Sequence, residues 1–415
     1  MGAKVTTKTA LNQVLEPIKS NSFSKFLKLM DADRYVKKFS AFKFIPLMIY
    51  AQLNQFPSLR AISSSLNSEE LRKIIGLESI SHSQISRKLR DFDPMIVQQL
   101  FKDIVQRTKI ELGTKLFSKA SKSLILIDST TISISFSKYR WASFRKTKSG
   151  VKLHLRLNYI DGNTIPDLAV VTEAKKADKT MMSQLVFDDG DVIYVFDRAY
   201  IDYEEFDKYC EKGIIFATRL KKNALKEIID ENLITDSKYI KRDCTVILGK
   251  DGTTKMNNPL RCVEAIDCEG NEIIILTNNF TASAEEIGDI YRYRWQIEIF
   301  FKWIKQHLQV KHFHSLSKQA VETQLHIALI AYCLLEIAKL RTGYTGSLLK
   351  MQILLGFCFH EPFSCFVRKL HEKPKHSSRG RPKEKYEIVF KMLERQVMEN
   401  EADHLDDLTY DPVIL

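Results

Sequence analysis

Two short apolar runs constrain the fold of this chain more than anything else in it. LILI (124–127) leads into Asp128, and VIYVF (192–196) leads into Asp197. Both have strand length and almost no polar residues, the pattern of strands buried on both faces of a sheet. A carboxylate that ends such a strand is costly unless it is paired or binds a cation. In open α/β sheets, sites gather at the carboxyl ends of strands. Either Asp alone reads equally well as a strand-end cap.

The surrounding text sets the class. GVKLHLRLNYIDGNTIPDLAVVTEA (150–174) alternates as two strands, joined at Asp161–Gly162 as a hairpin. DKTMMSQLVF (178–187) and DYEEFDKYCEKG (202–213) read as helices, and IIFATRL (214–220) as a strand. The predicted order from 123 to 220 is therefore β-β-β-α-β-α-β. Short strands and turn dipeptides such as Asp251–Gly252 fill 220–285, and helical text follows to about 370. Residues 1–118 read as helices throughout. The segment HEKPKHSSRGRPKEKYE (371–387) reads as a linker, although Arg379 and Arg381 around Gly380 also suit an AT-rich minor groove. The expected organisation is a helical domain at 1–118, a core at 119–219, a mostly β insertion at 220–285, a second core part at 286–370, and a basic linker and tail at 371–415.

A hydrophobic content of 44% and a charged content of 27% are those of a globular chain and exclude a disordered one. The first residues, MGAKVTTKTALNQVLEP, lack the apolar core of a secretory signal. HIALIAYCLLEIAKL (326–340) is too short to span a bilayer, carries Glu336, and reads as a buried helix. Seven cysteines without a CxxC pair suggest reduced thiols and a cytoplasmic protein. A zinc site from His307, His312, His314, Cys262 and Cys268 fits no ligand spacing.

The net charge of +12 is concentrated at one end: residues 1–120 hold 20 Lys and Arg against 10 Asp and Glu. That asymmetry points to a polyanion such as nucleic acid, whereas the last 17 residues are acidic. Near the basic end, Ser81 caps a short helix whose His82, Ser83, Gln84, Arg87 and Lys88 are exposed candidates, as in a helix-turn-helix recognition helix. Any small helical bundle offers the same pattern.

One stretch unites these threads. YRYRWQIEIFFKWIKQHL (291–308) carries Glu298 as its only acid. On an unbroken helix Ile290, Ile297, Phe301, Ile304 and Leu308 form a core stripe, and Tyr291, Arg294, Glu298 and Lys305 fall within about 60° of one another beside it. An Arg294–Glu298 pair on a solvated face, worth about 0.2–0.5 kcal/mol, is the plain reading. With Asp128 and Asp197, Glu298 instead completes three carboxylates that suit a hard cation, Mg²⁺ or Mn²⁺. Two such ions about 3.5–4 Å apart can clamp both oxygens of an in-line phosphoryl transfer.

Tyr291, Arg294, Glu298 and Lys305 stand at the spacing of Tyr, two residues, Arg, three residues, Glu, six residues, Lys. With IDSTT around Asp128 and DRAYIDYEEF from Asp197, the chain over about 30–345 resembles the bacterial DDE transposases of the insertion-sequence-four type. The resemblance implies an α/β RNase H-like catalytic core with a mostly β insertion, preceded by a helical DNA-binding domain. It implies that Asp128, Asp197 and Glu298 hold two Mg²⁺ or Mn²⁺ ions, and that Tyr291, Arg294 and Lys305 hold the backbone of transposon-end DNA. It further implies nicking, hairpin formation by the freed 3′-hydroxyl, reopening, and attack on target DNA by a homodimer that pairs two ends. Trp295 is a candidate for stacking on an extruded base. The β insertion has no tryptophan, unlike in some members, since the three are Trp141, Trp295 and Trp303. Arg219, Lys221 and Lys222 are expected on the DNA backbone, and the basic segment 137–150 is expected to be a flexible DNA-facing loop. A stand-alone RNase H-like nuclease and a non-catalytic DNA-binding derivative are the alternatives.

Overall fold

A computed structural model describes residues 8–116, 123–145, 148–160, 162–232, 239–250, 252, 254–266, 272–308, 310 and 312–372. The linker and acidic tail beyond 372, Asp161, Asp251 and Cys268 lie outside the described residues. The chain divides into two compact units, Lys119–Phe301 and a second formed by Met1–Ser118 with Lys302–Leu415.

The first unit is built on one mixed sheet of ten strands: β1 (Ser123–Ile134), β2 (Ser143–Arg145), β3 (Lys148–Ile160), β4 (Asn163–Glu173), β5 (Val192–Phe196), β6 (Ile215–Arg219), β7 (Lys226–Glu231), β8 (Ile240–Leu248), β9 (Leu260–Ile266) and β10 (Glu272–Thr277). Their order is β2-β3-β1-β5-β6-β10-β9-β8-β7, with β4 also on β3. β1, β5 and β6 run parallel, and β3 and β4 run antiparallel. The hairpin between β3 and β4 turns at Gly162, whose φ of +81° is open to glycine and strained for other residues. Pro166 breaks the β3–β4 register and leaves Asp167 bulged. That bulge aims the Asp167 carboxylate at Arg156, gripped at 2.9 and 3.1 Å.

The strands at 226–277 do not form a separate sheet. β10 pairs antiparallel with β6 and carries β9, β8 and β7 outward from it. Segment 137–150 is also more structured than a loop: Arg140–Ala142 makes a 3₁₀ turn and β2 pairs with β3, while 146–147 lie outside the described residues.

Side-chain alternation gives the sheet two different faces. Ile125, Ile127, Phe196, Phe216 and Leu276 point into a core covered by the helix Tyr203–Glu211, where Phe206 and Phe216 stack at 4.5 Å. On the other face Val263, Ala265 and Ile275 pack against Ile287 of the helix Ala284–Arg292. That helix starts at Ser283, whose hydroxyl accepts from Glu286 N while the Glu286 carboxylate accepts from Ser283 N.

The second unit is helical. Its centre is Lys318–Thr342, a 25-residue helix rather than the 15-residue segment expected. It is long and apolar enough to cross a membrane, but 89% of its apolar window is buried among the helices of this unit. Residues 9–11 and 359–362 interlock here, through a bridge between Thr9 and Pro362 and hydrogen bonds from Ala10 N to Glu361 O and Leu11 N to Phe359 O.

Candidate active site

The register of β1 on β5 runs Ser123↔Val192 to Ile127↔Phe196. The next residues are Asp128 and Asp197, so the two carboxylates stand side by side on adjacent parallel strands. β5 ends at Phe196, whereas β1 continues to Ile134 against β3. The acids therefore sit where the two strands part, on the face opposite Ile127 and Phe196.

Glu298 arrives from the helical layer, along a path that differs from the unbroken helix expected. Ala284–Arg292 ends, and Trp295–His307 begins after a turn at Tyr293 and Arg294. Three bonds there close over three residues: Arg294 N to Tyr291 O, Gln296 N to Tyr293 O and Ile297 N to Arg294 O. Tyr291 and Arg294 thus precede the helix that carries Glu298. The turn tucks the Arg294 guanidinium 6.0 Å from the centre of the Tyr291 ring.

Arg294 is the hub of the cluster. One nitrogen lies 2.5 Å from Glu298 Oε1 and another 3.3 Å from Asp128 Oδ2, with all three side chains less than a fifth exposed. The i,i+4 pair therefore exists, but as a half-buried bridge between two acids and not as a solvated surface pair. Asp128 Oδ1 accepts from Ser129 N at 2.7 Å. Burial pushes the Asp128 carboxyl up to about 7 against the pull of Arg294, with Glu298 and Asp197 adding repulsion. Burial also pushes the Tyr291 phenol up to about 12, opposed by Arg294 and Arg219. Burial alone would lower the Arg294 pKa, but Glu298, Tyr291, Asp128 and Asp197 together raise it. Asp197 acts on its neighbours through charge.

Among the described residues no three Asp, Glu, His or Cys side chains converge tightly enough to hold a metal ion, because the Arg294 guanidinium lies between Asp128 and Glu298. The donor chemistry nevertheless fits a hard cation. The three acids supply only oxygen, and burial raises the Asp128 carboxyl to about 7, a cost that a bound cation would relieve. Behind the acids, on the Ile127 and Phe196 face, the buried Tyr200 phenol is pushed up by burial and by the charges of Asp128, Asp178 and Asp197.

The other expected residues divide. Arg219 ends β6 near Tyr291, and Lys221 and Lys222 are exposed beyond it, with Lys222 3.7 Å from Glu272. Trp295 opens the Glu298 helix half-buried, and Lys305 lies half-buried in its last turn. In the helical unit Ser81 caps His82–Asp91 with the reciprocal Gln84 bond, and Arg87 is exposed. Lys88 is 17% exposed, 3.6 Å from Asp33 and packed over Phe92.

Residues 119–334 match the family model described as a transposase DDE domain. This chain belongs to the DDE transposase family. The transposase is 30% identical over 304 residues to a probable transposase for insertion sequence element IS5377 of Geobacillus stearothermophilus, covering 72% of this chain and 76% of that protein. It is 25% identical to a putative transposase for insertion sequence element IS4SA of Synechocystis, covering 76% and 87%. A putative transposase of Sinorhizobium fredii is 33% identical, covering 57% and 67%. Residues 6–74 match a domain of unknown function (DUF4372). The chain is thus an insertion-sequence transposase, a DNA-acting enzyme of a family that works with divalent metal ions.

Residues missed from sequence are Ser129, Asp178, Lys152 and Tyr200, which surround Asp128 from below. The alternation of polar Lys152, His154, Arg156 and Asn158 along β3 was the available signal, since a strand buried on both faces rarely carries four.

Proposed function

We propose that the transposase cleaves DNA at the inverted repeats ending its element and joins the freed 3′ ends to target DNA, as a member of the insertion-sequence-four group. The observation that carries this reading is the meeting of Asp128, Asp197 and the Arg294–Glu298 pair at the divergence of β1 and β5. The antiparallel β4-β3-β1 set joined to parallel β5 and β6 supports an RNase H-like core. Asp128, Asp197 and Glu298 would hold two Mg²⁺ or Mn²⁺ ions, which when bound make water a stronger nucleophile and neutralise phosphate charge. The chain's own residues do the rest. Asp128 offers Oδ2, because Ser129 N occupies Oδ1. Arg294 neutralises the acids in the metal-free protein and turns to a DNA phosphate when cations replace it. Tyr291 is pinned beneath Arg294 and donates its phenolic proton to a phosphate oxygen. Arg219, Lys221, Lys222 and Lys305 hold the backbone, Trp295 stacks on an extruded base, and Arg87 contacts the terminal repeat. Pairing of two ends calls for a homodimer. End cleavage passes through hairpins.

Asp128→Asn, Asp197→Asn and Glu298→Gln should each abolish Mg²⁺-dependent cleavage of labelled end DNA and leave end binding intact. Cleavage surviving in all three variants would refute the reading. A nuclease without joining activity would give no product linked to a target plasmid.

A further inference from the structure

Ser129 uses its two donors on opposite faces of β1. Its N–H holds Asp128 Oδ1 at 2.7 Å, and its hydroxyl donates to Asp178 Oδ1 at 2.6 Å. Asp178 starts the 3₁₀ turn Asp178–Met181 and is itself clamped. Lys152 Nζ donates to both its oxygens at 3.2 and 3.1 Å, and also to Lys176 O at 3.1 Å. His154, fully buried, places Nδ1 3.5 Å from Asp178 Oδ1 while its other nitrogen meets Thr172 Oγ1 at 2.9 Å. The Tyr200 hydroxyl, three residues after Asp197, looks onto the same group. None of these side chains reaches the face that carries Asp128, so none touches a substrate there.

We propose that Asp178 is a positioning residue for the transposition chemistry. By fixing the Ser129 hydroxyl it stops rotation of the 128–129 peptide, which keeps the N–H on Asp128 Oδ1 and commits Oδ2 to the reacting side. Lys152 balances the Asp178 charge, so the anchor adds no further repulsion beneath the acids. This inference rests on the reading of Asp128 as a cation ligand. Outer partners of ligating carboxylates typically contribute about 10–100-fold to metal affinity.

The test is Mn²⁺ binding by isothermal titration, paired with the Mn²⁺ concentration for half-maximal cleavage of end DNA. Asp178→Ala and Ser129→Ala should weaken both about tenfold or more, with end binding in EDTA unchanged. Asp178→Asn, which keeps an acceptor for Ser129, should lie closer to the wild type. A purely structural tie of the 178–181 turn to β1 and β3 predicts otherwise: lower melting temperatures but unshifted Mn²⁺ midpoints in Asp178→Ala and Ser129→Ala. That result would overturn the proposal. Asp128→Asn in the same assays separates the two failures, since undiminished Mn²⁺ binding and cleavage there would remove the underlying reading itself.

Discussion

At the scale of single residues, Arg294 matters most when no cation is present. It is the counter-charge for two acids that are each less than a fifth exposed. Removing one partner of a buried pair leaves an uncompensated charge, at a cost of about 3–5 kcal/mol. Arg294→Gln should therefore unfold at a markedly lower temperature than wild type in EDTA, and Mn²⁺ should close most of that gap. An EDTA difference that Mn²⁺ leaves untouched would mean that Arg294 supports the fold by packing alone. His154 supplies a pH prediction. Burial holds its imidazole down to about 4, whereas an unfolded imidazole titrates near ~6.5. Between those values the unfolded chain takes up the proton and the folded chain does not, so stability falls as pH drops through that window. The stability advantage of wild type over His154→Leu should shrink by up to about 3 kcal/mol from pH 7 to pH 4. A constant difference would show that His154 titrates alike in the folded and unfolded chain, with Asp178 offsetting the effect of burial. Asp128, Asp197 and Glu298 could be read from sequence because an acid at the end of an apolar run is a local pattern. The Ser129–Asp178 anchor spans 49 residues, and nothing local marks it.

At the scale of elements, the strands were legible and their joining was not. Alternation and turn dipeptides reveal strands at 226–277, but which edge they extend depends on β10 meeting β6, a long-range choice. The break at Tyr293–Arg294 was equally hidden, since no Gly or Pro marks it and apolar periodicity resumes on the far side. Upstream, the entry to the helix Ala284–Arg292 is held by Arg261 on β9. It pairs with Asp243 of β8 at 2.7 Å, with both side chains under a tenth exposed, and donates to Ala282 O at 2.6 Å. The pair thereby fixes the segment that opens the helix bearing Tyr291. Arg261→Leu should cost about 3–5 kcal/mol in denaturant unfolding. Adding Asp243→Asn should recover much of the loss, because the stranded carboxylate is then neutral. If the double variant is as unstable as the single one, the bonds to the 279–282 backbone carry the effect instead.

At the scale of the whole molecule, the helical text at the two ends of the chain makes one body. Periodicity shows that 1–118 and the region after 302 are helical, but it cannot show that they share a core. Gln352 Nε2 donates to Leu53 O at 2.9 Å and to His307 O at 3.0 Å, Gln98 Nε2 reaches Glu322 at 2.6 Å, and Arg341 pairs with both Glu16 and Glu111. Phe101 meets His326 edge-on, and Tyr50 meets Phe359. Helices that bury their apolar faces on a distant part of the chain lack a core when separated from it, and short helices are marginal alone in water. A fragment of residues 1–118 should therefore show reduced helicity and no cooperative thermal transition by circular dichroism. Mixing it with a fragment of residues 302–372 should restore both, and Gln352→Ala should weaken that recovery. A sharp transition in the isolated 1–118 fragment would mean that the N-terminal helices form a core of their own, and that Lys318–Thr342 packs onto a domain already folded.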